Sequence, residues 1–273
     1  MKPSARPTRV TLTNPTPSAP LARSAPLAGV AAIIPARYGS TRFPGKPLHP
    51  IAGKPLLQHV WERACLALPE DAILIATDDD RIADAAWEFG ATVAMTSPDH
   101  PSGTDRVAQA SHSLDSSFTH IINLQGDEPL IDPALVESVA ATLLATPSLE
   151  MVTAANPLSD EAAWADPDVV KVVLDRDGHA LYFSRSPIPF RRHPDAGAPL
   201  YRHKGIYGYR RDFLLRFVAW PPSPLERAEM LEQLRALENG TRIRVLLTDD
   251  PSIGVDTPEH AAMVAKLLGS ISA

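Results

Sequence analysis

From Gly29 onward the chain opens on a short apolar run, Val30–Ile34, that stops at Pro35 and passes into a loop of Gly, Ser, Thr, Arg and Lys. Such a run predicts a strand buried on both faces, as in parallel sheets covered by helices. In open α/β sheets, ligands bind beyond the carboxyl ends of the strands, where this loop must lie. The loop offers Arg37, Ser40, Thr41, Arg42 and Lys46, while Gly39 and Gly45 permit close backbone approach. Planar guanidinium groups and a compact ammonium complement a polyphosphate in different ways. The loop is not a P-loop, since five residues separate its glycines and Pro47 follows Lys46. The dinucleotide fingerprint G-x-G-x-x-G is also absent. Composition alone fits a solvated basic loop equally well.

Alternation continues downstream. Pro55–Ala67 has Pro at a first helical position and apolar residues at helical spacing. Ala72–Ala76 predicts a second buried strand. It ends in Thr77-Asp78-Asp79-Asp80, whose carboxylates can cap a helix Arg81–Phe89 closed by Gly90. Thr92–Met95 and His120–Leu124 are further strands, Pro133–Leu144 a helix, and Met151–Asn156 and Val169–Asp175 strands again. Asp177-Gly178 is a hairpin signal, returning the chain as His179–Arg185. Pro222–Gly240 predicts one long helix, Ile243–Leu247 a last strand, and Thr257-Pro258 the start of a helix through Leu268. The pattern is an α/β fold: a mostly parallel mixed sheet with helices on both faces and an inserted β-ribbon.

The formal charge of −6 is unevenly spread. Residues 1–28 hold Lys2, Arg6, Arg9 and Arg23 and no acid, so the remainder carries −10. An acidic body is a poor partner for nucleic acid and points to small anions and metal ions. The same 28 residues hold six prolines and no hydrophobic period, predicting a disordered extension ahead of a single domain at 29–273. No apolar run nears the roughly eighteen residues of a membrane span, so no membrane insertion is expected. Cys65, the only cysteine, suits a reducing, cytoplasmic compartment and predicts a buried structural thiol.

Several segments carry chemistry or packing with equal ease. In His100–Arg106, Thr104 or Ser102 can cap a helix through Ala110. In Gln125-Gly-Asp-Glu-Pro129, a carboxylate just past a strand end can hold a hard cation or cap a turn. His203 and Tyr207 lie an even number of residues apart, on one side of a strand. Glu229, Glu232 and Gln233 would share one face of the long helix, opposite an apolar face of Met230, Leu231 and Leu234. Asp256 can cap the last helix. The loop Ser186–Pro199 is a lid or a solvated surface.

Six segments, in this order and spacing, change the balance: PARYGSTRFPGKPL, SGTDR, LQGDEP, RHKGIYGYR, PSPLERAEMLEQLR and GVDTPE. Together they resemble the sugar-nucleotide cytidylyltransferases over roughly residues 29 to 270. The resemblance implies a Rossmann-like three-layer fold. It also implies transfer of CMP from CTP to the anomeric hydroxyl of an acid sugar, with Mg²⁺ on Asp127 and Asp256 and a homodimeric assembly. Arg37 and Lys46 would join those aspartates in catalysis. Ala36, Arg37, Gly39, Ser40, Lys46, Asp78, Ser102 and Gln125 would hold CTP. Arg106, Gln125, Arg185, His203, Tyr207, Glu232 and Gln233 would face the sugar. Residues 179–222 would contribute to the sugar site and the dimer interface. The sugar-side segments resemble those for 3-deoxy-manno-octulosonate (Kdo), a lipopolysaccharide precursor, rather than sialic acid. Lys204 departs from the apolar residue expected in the family. The alternatives are another acid sugar such as 8-amino-Kdo or sialic acid, a glycosyltransferase using the D-x-D of Asp78 and Asp80, or a nucleotide-binding protein without turnover.

Overall fold

A computed structural model describes residues 27–39, 43–193, 197–251 and 254–271. Nearly all of the Pro-rich extension, together with Ser40, Thr41 and Arg42 of the basic loop, lies outside the described residues. The chain begins with β1 (Val30–Ala36), a small hairpin of β2 (Pro50–Ile51) and β3 (Lys54–Pro55), and α1 (Leu56–Cys65). There follow β4 (Ile73–Thr77), α2 (Asp80–Glu88), β5 (Thr92–Met95), α3 (Gly103–Ser111), β6 (His120–Asn123), α4 (Pro133–Ala145) and β7 (Met151–Pro157). The second half holds α5 (Glu161–Ala165), the ribbon β8 (Lys171–Leu174) and β9 (Ala180–Ser184), and β10 (Tyr201–Arg210). It closes with α6 (Arg211–Ala219), α7 (Pro224–Glu229), α8 (Gln233–Glu238), β11 (Ile243–Leu247) and α9 (Pro258–Ile271).

The main sheet runs β11-β7-β10-β6-β1-β4-β5, and the β8–β9 ribbon branches from β10. β1 pairs in parallel with β4 and with β6, β4 with β5, and β11 with β7; β10 alone on this path runs antiparallel to its neighbours. This is the mixed sheet with an inserted ribbon that the alternation predicts. β1 extends through Pro35 to Ala36 instead of stopping at the proline. Its ladder to β6 ends at Ile33, while Pro35 remains in register with Ala76 on the β4 side. A missing N–H beyond the end of the β6 ladder breaks no bond there.

Side chains alternate across the sheet and feed two cores. Val30, Ala32, Ile34 and Ala36 meet α1, α2 and α4, whereas Ala31 and Ile33 meet α3, α6 and α8. Helices therefore cover both faces, giving three layers. Short acceptors start them: Asp79 caps α2, Ser102 α3, Asp132 α4 and Asp160 α5, and Ser223 with Glu226 forms a capping box on α7.

The long helix expected at Pro222–Gly240 is broken. Met230 takes a left-handed conformation (φ 54°, ψ 48°) between α7 and α8. It is 76% exposed, so it does not join Leu231 and Leu234 on an apolar face. A buried pair joins the two pieces, with Arg235 Nε and Nη2 donating to both Glu226 oxygens at 2.8 and 2.5 Å. Two further differences are smaller. Pro55 stands at the cap of α1 instead of its first turn. The loop after β9 is tied to α5 at Ile188 and Arg191, through Trp164 Nε1 donating to Ile188 O at 3.0 Å and an Arg191–Glu161 ion pair. Cys65 is half-buried, its thiol pushed up to about 11 by burial and then by Glu70 and Glu62, which makes it unreactive.

Gly208 marks where β10 runs beneath α4. A Cβ there would lie 2.6 Å from Val139 Cγ1 and 2.7 Å from Leu143 Cδ1. Gly208→Ala is expected to cost ~1–3 kcal/mol through overpacking. It should appear as a lower urea midpoint with an unchanged far-UV circular dichroism spectrum.

Candidate active site

Because β1, β4 and β6 run the same way, the loops leaving them gather at one edge of the sheet. There they line a cleft of about 270 Å³, with walls from Ala36, Arg37 and Lys46, from Ser102 and Arg106, and from Gln125, Asp127 and Asp256. That size suits a small molecule. Pro35, Pro47, His100, Gly103 and Gly126 complete the lining, and Pro47 and His100 carried no signal as site residues.

At its centre the Lys46 ammonium lies 2.8 Å from Asp127 Oδ2 and 3.3 Å from Asp256 Oδ1. Three distant parts of the chain thus meet around one cation. Gly45 (φ +70°) and the short 3₁₀ turn Lys46–Leu48 aim the lysine. The Gly45 N–H donates to Tyr38 O at 3.0 Å, and the Tyr38 ring carries the Arg81 guanidinium 3.4 Å above it. Asp127 is placed by close backbone approach: a Cβ on Gly126 would sit 2.9 Å from Pro35 O. The Val255 N–H donates to Asp127 O at 2.8 Å, fastening the two aspartate loops together. Both carboxylates turn toward one positive charge. Two hard oxygen donors beside a basic loop are the set that a divalent cation shares with phosphates, so the residues fit such an ion.

Of the two possible caps on α3, Ser102 is the one used, accepting from Asp105 N at 3.2 Å and donating to the Asp105 carboxylate at 2.6 Å. Thr104 instead donates to Glu232 Oε2 at 2.6 Å and accepts from Asn123 Nδ2 at 3.4 Å, while Asn123 Oδ1 accepts from Gln125 Nε2 at 3.2 Å. A polar chain thereby links cleft residue Gln125 to Glu232. Asn123, a buried amide at the end of β6, is the member of this chain that no motif singled out. Arg106 reaches the cleft wall, but its guanidinium is bound to Asp78 at 2.9 Å and Thr96 at 2.5 Å. Burial lowers its pKa, and Asp78 opposes that shift. Asp78 therefore anchors Arg106 in this structure.

The remaining sugar-side candidates lie outside this lining. Arg185 donates to Glu229 O at 2.8 Å and Pro167 O at 3.0 Å. Glu229 accepts from Ser184 and from the Arg185 N–H, and Glu232 from Thr104. The face expected to unite Glu229, Glu232 and Gln233 is split by the break at Met230. Gln233 is buried, and its Nε2 has no hydrogen-bond partner among the described residues. His203 Nε2 lies 2.9 Å from Thr153 Oγ1, with the ring against Phe183 and Tyr207. Burial drives its pKa down to about 3, so it is neutral. Tyr207 stacks on Tyr209, its phenol pKa raised by burial and then by Glu232. A second acidic group, Asp175, Asp177 and His179, sits on the β8–β9 turn, where Arg242 pairs with both aspartates.

A phosphate-suited loop and paired carboxylates at the carboxyl edge of a parallel sheet define an α/β nucleotidyltransferase. The profile of the cytidylyltransferase family matches residues 31–243, and the chain belongs to that family. It is 52% identical over 243 residues to the 3-deoxy-manno-octulosonate cytidylyltransferase of Syntrophotalea carbinolica, covering 86% of this chain and 96% of that one. It is 50% identical over 249 residues to the enzyme of the same name from Geobacter sulfurreducens, covering 88% and 99%. A solved structure of CMP:2-keto-3-deoxy-manno-octonic acid synthetase complexed with CTP superposes with a TM-score of 0.83 at 43% identity, covering 88% and 98%. Among the described residues, no helix is long and apolar enough to cross a membrane.

Two outcomes follow from this geometry. Gly126→Ala must push the Asp127 loop off Pro35 O, and kcat is expected to fall roughly a hundredfold, as for small misplacements of a reacting group. His203 is protonated in the unfolded chain below about pH 6.5 but not in the folded one, so it weakens folding as pH falls from there toward 3. The drop in urea midpoint between pH 7.5 and pH 5 should be smaller in His203→Gln than in the parent protein.

Proposed function

We propose that this protein activates Kdo by transferring CMP from CTP to its anomeric hydroxyl, releasing pyrophosphate and forming CMP-Kdo for lipopolysaccharide synthesis. The observation that carries this reading is the meeting of Lys46, Asp127 and Asp256 beneath the basic loop. Its support is a chain half identical to enzymes bearing that name. The sugar oxygen forms a bond to the α-phosphorus as the bridging oxygen to the β-phosphorus departs. Catalysis of this kind is positioning plus countercharge.

Arg37 and Lys46 supply cations to the phosphates, with Ala36 and Gly39 offering backbone beside them and Ser40 a hydroxyl. Ser102 and Gln125 line the nucleotide side. Asp127 and Asp256 would hold Mg²⁺, which when bound neutralises phosphate oxygens and lowers the pKa of a coordinated hydroxyl. Tyr207, Glu232 and Gln233 are offered for the sugar, supported by the unpartnered Gln233 amide and the polar chain from Gln125 to Glu232. Arg185 and His203 act behind them by shaping this wall. The region 179–222 exposes Leu181 and Phe190, apolar side chains suited to burial against a second copy in a homodimer. The enzyme is assigned to the cytoplasm, where CTP is made and the thiol of Cys65 stays reduced.

Pyrophosphate release is expected with CTP, Mg²⁺ and Kdo, and not when sialic acid replaces Kdo. Release with sialic acid alone would reassign the sugar wall. Asp127→Asn and Asp256→Asn should each lower kcat by ~10²-fold or more with little change in thermal stability. Near-normal turnover in either variant would refute the paired-carboxylate mechanism.

A further inference from the structure

Among the described residues, Lys204 is the buried cation outside the catalytic machinery that is held by two carboxylates. Lys204, on β10, is 4% exposed, and its Nζ stands 3.3 Å from Glu128 Oε2 and 3.2 Å from Asp250 Oδ2. Both carboxylates are themselves buried. Neither lines the cleft, yet each belongs to a segment that carries a cleft aspartate: Glu128 adjoins Asp127, and Asp250 leads into the loop of Asp256.

Irregular backbone on β10 accompanies this placement. Its register with β7 shifts between Lys204 and Tyr207, and a bulge of this kind re-aims side chains. The Thr153 hydroxyl fastens the irregular stretch, lying 3.2 Å from Lys204 O and 2.8 Å from Ile206 O. On the far side, the Asp250 carboxylate accepts from Asp132 N at 3.3 Å and its carbonyl from Asn156 Nδ2 at 2.9 Å.

Buried ion clusters are weak stabilisers, because desolvation offsets the attraction. In some proteins such a cluster instead fixes which segments meet and in what register. The ammonium lies between two buried carboxylates from the two segments, and its charge draws those segments together. We propose that Lys204 is a positioning residue that holds the Asp127 and Asp256 loops at the separation needed to share one divalent cation. This rests on the reading of those aspartates as the metal pair. An apolar residue on β10 could fill the same volume but could not bind the two anionic segments together.

The test uses the full-length protein without sugar, so that nothing turns over. Mn²⁺ is titrated by electron paramagnetic resonance in the presence of CTP, and CTP alone is titrated by calorimetry. The variants are Lys204→Met, Lys204→Arg and Asp250→Asn; the last keeps the oxygen that accepts from Asp132. Lys204→Met and Asp250→Asn are expected to weaken Mn²⁺ binding by roughly tenfold or more, as for partners that orient metal ligands. Metal-free CTP binding should change less than about twofold, and Lys204→Arg should recover part of the loss. Unchanged Mn²⁺ affinity in Lys204→Met, with only its melting temperature lowered, would overturn the proposal. If Lys204→Met does not fold, unchanged Mn²⁺ affinity in Asp250→Asn overturns it alone. Failure of the parent protein to bind Mn²⁺ with CTP would instead overturn the aspartate pair, and this inference with it.

Discussion

β1 is paired on both edges, with β4 and with β6, and its side chains alternate into two separate cores. A strand in that position has no face or edge left for water. Its polar neighbours must therefore collect where it ends. Because all three strands run the same way, the basic loop, the Asp78 turn and the Gln125–Glu128 loop emerge at one edge. The cleft follows from that direction of travel, together with the short acceptors that start α2 and α3 on its rim.

The site is then completed by charge. Asp127 and Asp256 are far apart in sequence, and two carboxylates brought to one place repel. Lys46 lies between them, and the hydrogen bond from Val255 N–H to Asp127 O fixes their loops. Close backbone approach at Gly126 provides the space. The same economy of cations recurs outward: Arg106 is matched to Asp78 and Arg235 to Glu226. Lysine 171, fully buried, donates instead to the backbone carbonyls of Asp166, Val169 and Arg185. These pairings leave Arg37 exposed on the cleft wall.

The central strands were legible because a strand buried on both faces is apolar along most of its length, as Val30–Ile34 and Ala72–Ala76 are and as His120–Leu124 is apart from His120 and Asn123. The caps of α2 and α3 were legible because serine and aspartate before a helical period have a local partner in the first turn. The break at Met230 was not legible. Pro222–Gly240 keeps helical spacing throughout, and only the buried Glu226–Arg235 pair and the seat of Leu231 and Leu234 in the core show that the chain must turn there. The shared face of Glu229, Glu232 and Gln233 was lost for the same reason, since it assumed an unbroken helix.

The sequence by itself determined the fold class, because strand burial and capping are written in short, contiguous patterns, and the order and spacing of its motifs marked the family and most of the groups that line the cleft. Only the tertiary structure decided how those groups are engaged. It matched Arg106 to Asp78, turned His203 toward Thr153, linked Gln125 to Glu232 through Asn123 and Thr104, and set Lys204 between two acids. Apart from the short link between Asn123 and Gln125, each of these contacts joins residues brought together from different parts of the chain. A local pattern carries no record of which distant partner will satisfy a buried charge or amide; packing settles that, because inside the protein each must find one.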